Sequence, residues 1–153
     1  MSDIFYRVIV PTDFSPCSEE AWAVARRLGA ALGSELVLVH VFVEGTLWNE
    51  TPFNAERVRQ LFADGRRWVA SKLEEWAKPA REAGLSVRVT MREGVPYQEI
   101  VALATDERAD LIVIGTEGRG GLDRALLGSV ADRVVRLAPC PVLTVREASR
   151  ATP

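Results

Sequence analysis

Five apolar or β-branched runs of strand length, separated by stretches with helical periodicity, restrict the folds open to this chain more than any other feature. The runs are FYRVIV (5–10), ELVLVHVFV (35–43), LSVRVTM (85–91), DLIVIGT (110–116) and PVLTV (141–145). Several lack the polar and apolar alternation of a strand with one wet face, so they predict strands covered on both sides. In 16–33, Ala21, Val24, Ala25, Leu28, Ala31 and Leu32 recur three or four residues apart, while Glu19, Glu20, Arg26 and Arg27 fall elsewhere. Ser15 is a cap, Pro16 suits a first helical position and Gly33 is a natural stop. A longer helix is expected over 54–83, with a stripe of Val58, Leu61, Phe62, Val69, Leu73, Trp76, Ala77 and Ala80 and a disturbance at Gly65 and Pro79. Segments 96–105 and 129–137 complete the set.

Strands alternating with helices predict an α/β fold, a doubly wound five-stranded parallel sheet with helices on both faces, Rossmann-like in outline. Right-handed crossovers leave few topologies. With 153 residues and a 48% apolar share, the chain suffices for one well-filled domain. That domain is expected over residues 1–147, with a frayed tail at 148–153. A net charge of −2 and no run of Lys or Arg argue against nucleic acid or an anionic membrane as partner. The start, MSDIFYRVIVPTD, has no basic flank and long apolar stretch, so the expected location is the cytoplasm. Cys17 and Cys140 form no CxxC pair and His40 is the lone histidine, which argues against a disulfide framework or a zinc site. Both cysteines are expected as buried or half-buried thiols, and His40 as a packed, hydrogen-bonded residue of its strand. The longest connection, EGTLWNETPF (44–53), carries Trp48 and Phe53 among polar residues and reads as a lid, a partner contact or a surface loop.

Ligands of doubly wound sheets bind beyond the carboxyl ends of the strands, where the strand order reverses. Two loops have suitable chemistry: VPTDFS (10–15), with Pro11, Thr12 and Asp13, and GTEGRGGLDRALLGS (115–129). Gly115 and Gly118 have no Cβ to hold a ligand off the backbone, and glycine permits dihedrals that turn successive N–H groups toward one point. Gly128-Ser129 opens the last helix, whose unpaired N–H groups and dipole favour an anion. Arg119 is placed to compensate phosphate charge, whereas Arg124 and Arg133 read as solvated helix residues. The stretch is neither a Walker A loop nor GxGxxG, and HExxH and GxSxG are absent from the sequence.

These residues resemble the universal stress proteins, whose nucleotide-binding members carry G-x2-G-x9-G-[ST]. Gly115, Gly118, Gly128 and Ser129 match it at both spacings. The resemblance extends over VIVPTDFSPCSEEA, LVLVHV, REGVPYQEIV, ADLIVIGT and GSVADRVVRLAPCPVLTV, nearly the whole chain. It implies strand order 3-2-1-4-5, with the reversal between the first and fourth strands. It implies ATP, or AMP or ADP, as ligand, with Mg²⁺ as an accompanying ion. Asp13 would accept hydrogen bonds from ribose hydroxyls, and an apolar wall around Pro11 and Val41 would hold adenine, its edge read by the Val41 backbone. Gly115, Gly118, Arg119, Gly128, Ser129 and Val130 would surround the phosphates, with Thr12 and Thr116 completing the set.

The final strand would be an apolar sheet edge, and the resemblance implies a homodimer through it. Glu117 departs from the family, which often places a basic or neutral polar residue there. Its carboxylate points outward, helps to hold Mg²⁺ or weakens triphosphate binding. The implied function is a stress-response protein that acts as a nucleotide-dependent binding or signalling module. The alternatives are a slow Mg²⁺-dependent ATPase using Glu117 or Asp13, and a dimeric adaptor that leaves its site empty.

Overall fold

The computed structural model describes residues 4–43, 55–117 and 126–147. The elements alternate as β1 (Arg7–Pro11), α1 (Pro16–Leu32), β2 (Glu35–Phe42), α2 (Ala55–Glu82), β3 (Ser86–Glu93), α3 (Pro96–Asp106), β4 (Leu111–Gly115), α4 (Ser129–Leu137) and β5 (Val142–Val145). All strand pairs are parallel, and the order is β3-β2-β1-β4-β5, so the sequence expectation holds in class and in topology.

The side-chain alternation of the central strands explains why they read as continuous apolar runs. Val8, Val10, Leu36, Leu38 and Val113 point to the face covered by α1 and α2, where Ala21, Trp22, Ala25, Val69, Leu73 and Ala77 meet them. Ile9, Val37, Val39 and Ile112 point to the face covered by α3 and α4, against Ile100, Leu103, Ala104, Ala131 and Val134. Both faces are dry, so neither needs a polar side chain. The edge strands β3 and β5 show the exposure that the central strands lack.

Helix α1 begins as its sequence predicts: the Ser15 hydroxyl accepts the Ser18 N–H at 3.2 Å, Pro16 takes the first turn, and Gly33 closes the helix at φ 71°. Helix α2 differs from expectation, because neither Gly65 nor Pro79 breaks it. A Cβ at Gly65 would lie 3.2 Å from the Phe42 ring, so this glycine lets an aromatic side chain press on the helix. Pro79 is exposed and falls in the last turns of the helix. Leu61 was expected in the apolar stripe but is 63% exposed; its neighbour Phe62 turns inward, edge-on to Phe42.

The amino ends of the strands are tied together by charge. The backbone N–H of Arg7 donates to Asp110 at 2.8 Å, and its guanidinium donates to Glu35 at 3.1 Å and to the Glu107 carbonyl at 2.7 Å. Arg88 donates to Glu35 and, at 2.7 Å, to Glu107. Hydrogen bonding from Arg88 holds both the Glu35 and the Glu107 carboxyl below the ordinary value of 4.5. No described helix is long and apolar enough to cross a membrane.

Candidate functional site

The opposite ends of the strands open into a cavity of about 620 Å³ at the reversal between β1 and β4. The sheet itself creates this opening. β1 stays paired with β2 as far as Pro11, but its pairing with β4 ends at Ile9. The next nitrogen on the β4 side is that of Pro11, which has no hydrogen to donate, while Thr12 N–H continues toward β2 and reaches the Val39 carbonyl at 2.8 Å. A proline at this position thus helps to end one ladder without ending the other.

The loop after β1 is held by its own side chains. Thr12 Oγ1 accepts the Phe14 N–H at 2.9 Å and lies 3.0 Å from the Ser18 hydroxyl. Asp13 Oδ1 accepts the Ser15 N–H at 2.9 Å, the turn that a short carboxylate makes with its own backbone. Phe14 sits at φ 62°, a costly conformation for a bulky residue, and its ring is clamped by His40 at 5.0 Å and by Trp68 and Trp76 at 5.5 and 5.4 Å. His40 Nδ1 lies 2.8 Å from the Thr12 carbonyl, which fixes that nitrogen as the protonated one. His40 is hydrogen-bonded as expected, but it is half-buried and lines the cavity instead of sitting in the core.

The far wall begins at β4. Thr116 N–H donates to Val145 at 2.9 Å, and the Thr116 carbonyl accepts the Gly128 N–H at 2.6 Å, so the start of α4 is pinned beside the end of β4. Gly128 precedes α4 with no side-chain cap, leaving the N–H groups of Ser129, Val130 and Ala131 without a capping side chain at the cavity edge. Such a terminus attracts an anion.

The structure brings Pro11, Thr12, Asp13, Val41, Gly115, Thr116, Gly128, Ser129 and Val130 to this one cavity. Gly118 and Arg119 lie outside the described residues, as do Arg124 and the loop 44–53 with Trp48 and Phe53. Neither Gly115 nor Gly128 has a backbone conformation that requires glycine. Gly115 lies in β4 with no left-handed φ, and a Cβ there would meet Cys17 Sγ at 3.0 Å and the Cys17 carbonyl carbon at 3.1 Å. Its lack of a side chain serves the close approach of α1, whatever else it does for a ligand. Gly128 has φ −58° and ψ 156°, which any residue adopts.

Sequence reasoning missed a third wall. Gly65, Trp68 and Val69 of α2 and Pro96 and Ile100 of α3 line the cavity around Val39, Val41 and Phe42. Trp68 is 49% exposed and broke the expected stripe, the one signal that could have marked it. Cys17 is buried and donates to the Val145 carbonyl at 3.3 Å; Cys140 is half-buried, and burial pushes its thiol up, away from the reactive thiolate.

A parallel sheet with this order, opened at its reversal by a proline and bordered by an uncapped helix start, is the frame of a ligand-binding α/β protein. The sequence profile described as the universal stress protein family matches residues 5–146. A universal stress protein of Methanocaldococcus jannaschii, MJ0531, is 36% identical over 147 residues, covering 95% of this chain and 84% of that protein. The structure of MJ0577 from the same organism superposes with a TM-score of 0.83 at 29% identity, covering 95% of this chain and 99% of that one. A universal stress protein solved in complex with cAMP gives a TM-score of 0.70 at 26% identity, covering 95% and 99%. The chain belongs to the universal stress protein family.

Proposed function

We propose that this chain binds an adenine nucleotide in the cavity at the β1 and β4 reversal and acts as a nucleotide-dependent binding or signalling module in a stress response. The observation that carries the reading is the meeting of three unlike surfaces in one cavity: a half-buried acceptor at Asp13, an apolar wall at Pro11 and Val41, and the uncapped first turn of α4. Ribose hydroxyls need an acceptor, a purine needs apolar walls with backbone groups at its edge, and a phosphate needs N–H donors. The Asp13 carboxylate, held by the Ser15 N–H, is the acceptor proposed for the ribose. Gly115, Thr116, Gly128, Ser129 and Val130 take the phosphate side, with Gly118 and Arg119 assigned there from the sequence alone. Membership in a family with a cAMP-bound member supports the ligand class.

Among the described residues no group of three or more His, Cys, Asp or Glu forms a metal cage. A Mg²⁺ ion would therefore enter with the phosphates and meet the carboxylates of Asp13 and Glu117. The domain is proposed to run over 1–147, to work in the cytoplasm, and to dimerise through the β5 edge. Leu143 of β5 is 39% exposed there, and Val135 and Leu137 of α4 are exposed as well. Titration calorimetry with AMP, ADP, ATP and cAMP tests the reading. Saturable heat is expected for the wild type and none for Gly128→Val, whose branched side chain would fill the anion position; equal affinity in that variant overturns the assignment. Sedimentation of wild type against Leu143→Asp tests the dimer.

A further inference from the structure

The loop that carries Asp13 holds its next residue in a conformation that a side chain disfavours. Phe14 lies at φ 62°, in the left-handed region that is costly for a bulky residue and open to glycine. Phe5 and Arg108 also have positive φ, but they precede β1 and β4 at the amino ends of the strands, away from the cavity. The Phe14 N–H donates to Thr12 Oγ1 at 2.9 Å, and the Ser15 N–H donates to Asp13 Oδ1 at 2.9 Å. The second bond spans residue 14, so it fixes the Asp13 carboxylate only while Phe14 keeps this turn. What offsets the strain is the ring. It stacks on His40 at 5.0 Å and makes edge contacts with Trp68 at 5.5 Å and Trp76 at 5.4 Å, both on α2. Asp13 lines the cavity, whereas Phe14 and Trp76 do not.

We infer that Phe14 is a positioning residue of the ligand site: α2 holds its ring, the ring keeps residue 14 left-handed, and that turn keeps the Asp13 carboxylate in place for a ribose. Nucleotide affinity then depends on a residue of α2, Trp76, that does not line the cavity. This rests on the nucleotide reading above. Without its ring contacts, residue 14 relaxes toward the ordinary backbone regions, because the left-handed one is disfavoured about tenfold for a residue with a Cβ. Apparent affinity falls with the population of the competent loop. Glycine at position 14 would lose the ring but have no need of it, since no Cβ obstructs its entry to the left-handed region. If the ring only filled space, glycine would be a worse replacement than alanine; if it holds a turn, alanine is the worse one. Trp76 reaches Asp13 through Phe14. Its backbone carbonyl accepts the Trp22 indole N–H at 3.3 Å, a bond that a change of the Trp76 side chain leaves in place.

The test titrates AMP, and ATP with Mg²⁺, into wild type, Phe14→Ala, Phe14→Gly, Trp76→Leu and the double variant Phe14→Gly with Trp76→Leu, each well below its melting temperature. Phe14→Ala should weaken both nucleotides about tenfold, and Phe14→Gly less than about threefold. Trp76→Leu should weaken binding in the wild-type background and leave the Phe14→Gly affinity unchanged. Amide exchange without ligand reads the turn directly: the Ser15 N–H should exchange slowly in wild type and Phe14→Gly and faster in Phe14→Ala. Equal affinity in the alanine and glycine variants, or a weaker glycine variant, overturns the positioning role. So does a Trp76→Leu loss of the same size in both backgrounds. If wild type binds neither nucleotide while Ser15 exchange keeps the expected order, the nucleotide reading falls and the hold of α2 on the turn stands.

Discussion

The two ends of the sheet use charge in opposite ways. At the amino ends, Glu35 is answered by Arg7 and Arg88, and Glu107 by Arg88, at the junction of three neighbouring strands and the turn before β4. At the carboxyl ends, the cavity presents Glu117 without a counter-charge among the described residues. Pairing at one end bridges strands β1, β2 and β3. The carboxylate at the other end makes no ion pair among the described residues and faces the cavity.

The largest expected effect separates two glycines of the same motif. Gly115→Val forces a branched side chain onto Cys17, whose backbone is already within 3.1 Å of the Cβ position, and should cost about 3 kcal/mol in urea unfolding. Gly128→Val, at an unstrained φ of −58°, should keep its unfolding midpoint while losing nucleotide affinity. If both variants lost stability equally, the packing role given to Gly115 and not to Gly128 would break.

Next in size is the charged end. Glu35→Gln leaves Arg7 and Arg88 each short of a partner and should cost about 1–3 kcal/mol at neutral pH. Its pH dependence has a definite sign. The folded carboxyls of Glu35 and Glu107 titrate below the ordinary value of 4.5, so their stabilisation is present above that value and is lost as pH falls through the folded values. Urea midpoints of wild type and Glu35→Gln should differ most near pH 7 and converge well below pH 4. A gap that widened in acid would contradict the assignment. The smallest effect calibrates the scale: Arg67→Ala breaks an exposed pair with Asp64 at 2.6 Å and should cost under about 0.5 kcal/mol. A cost near that of Glu35→Gln would show that the paired end owes its strength to something other than its partial burial.

Much of this arrangement was legible beforehand because backbone physics is local. The dry central strands appear as unbroken apolar runs, and Ser15, Pro16 and Gly33 mark the ends of α1 where they fall. The loops after β1 and β4 were identified by chemistry and by family resemblance, and their described residues Thr12, Asp13, Thr116, Glu117 and Gly128 border the cavity. What was not legible involved residues whose role depends on a distant neighbour. Gly65 looked like a helix defect until Phe42 was seen against it, and Gly115, read from the sequence only as a ligand contact, also makes room for Cys17. Trp68 and Ile100 reach the site from helices that the sequence assigns only to packing.

The sequence by itself determined the alternation of strands and helices, the two covered faces and the loops that carry the polar chemistry, because periodicity, capping and turn preferences act over a few residues. Only the tertiary structure decided that β1 parts from β4 after Ile9, that α2 and α3 close the apolar wall, and which charges are answered. Those features arise between residues dozens of positions apart, and the energy of a charge depends on what stands beside it once the chain has folded. Glu35 and Glu117 are the same residue type in the sequence; the fold gives one two arginines and gives the other a cavity.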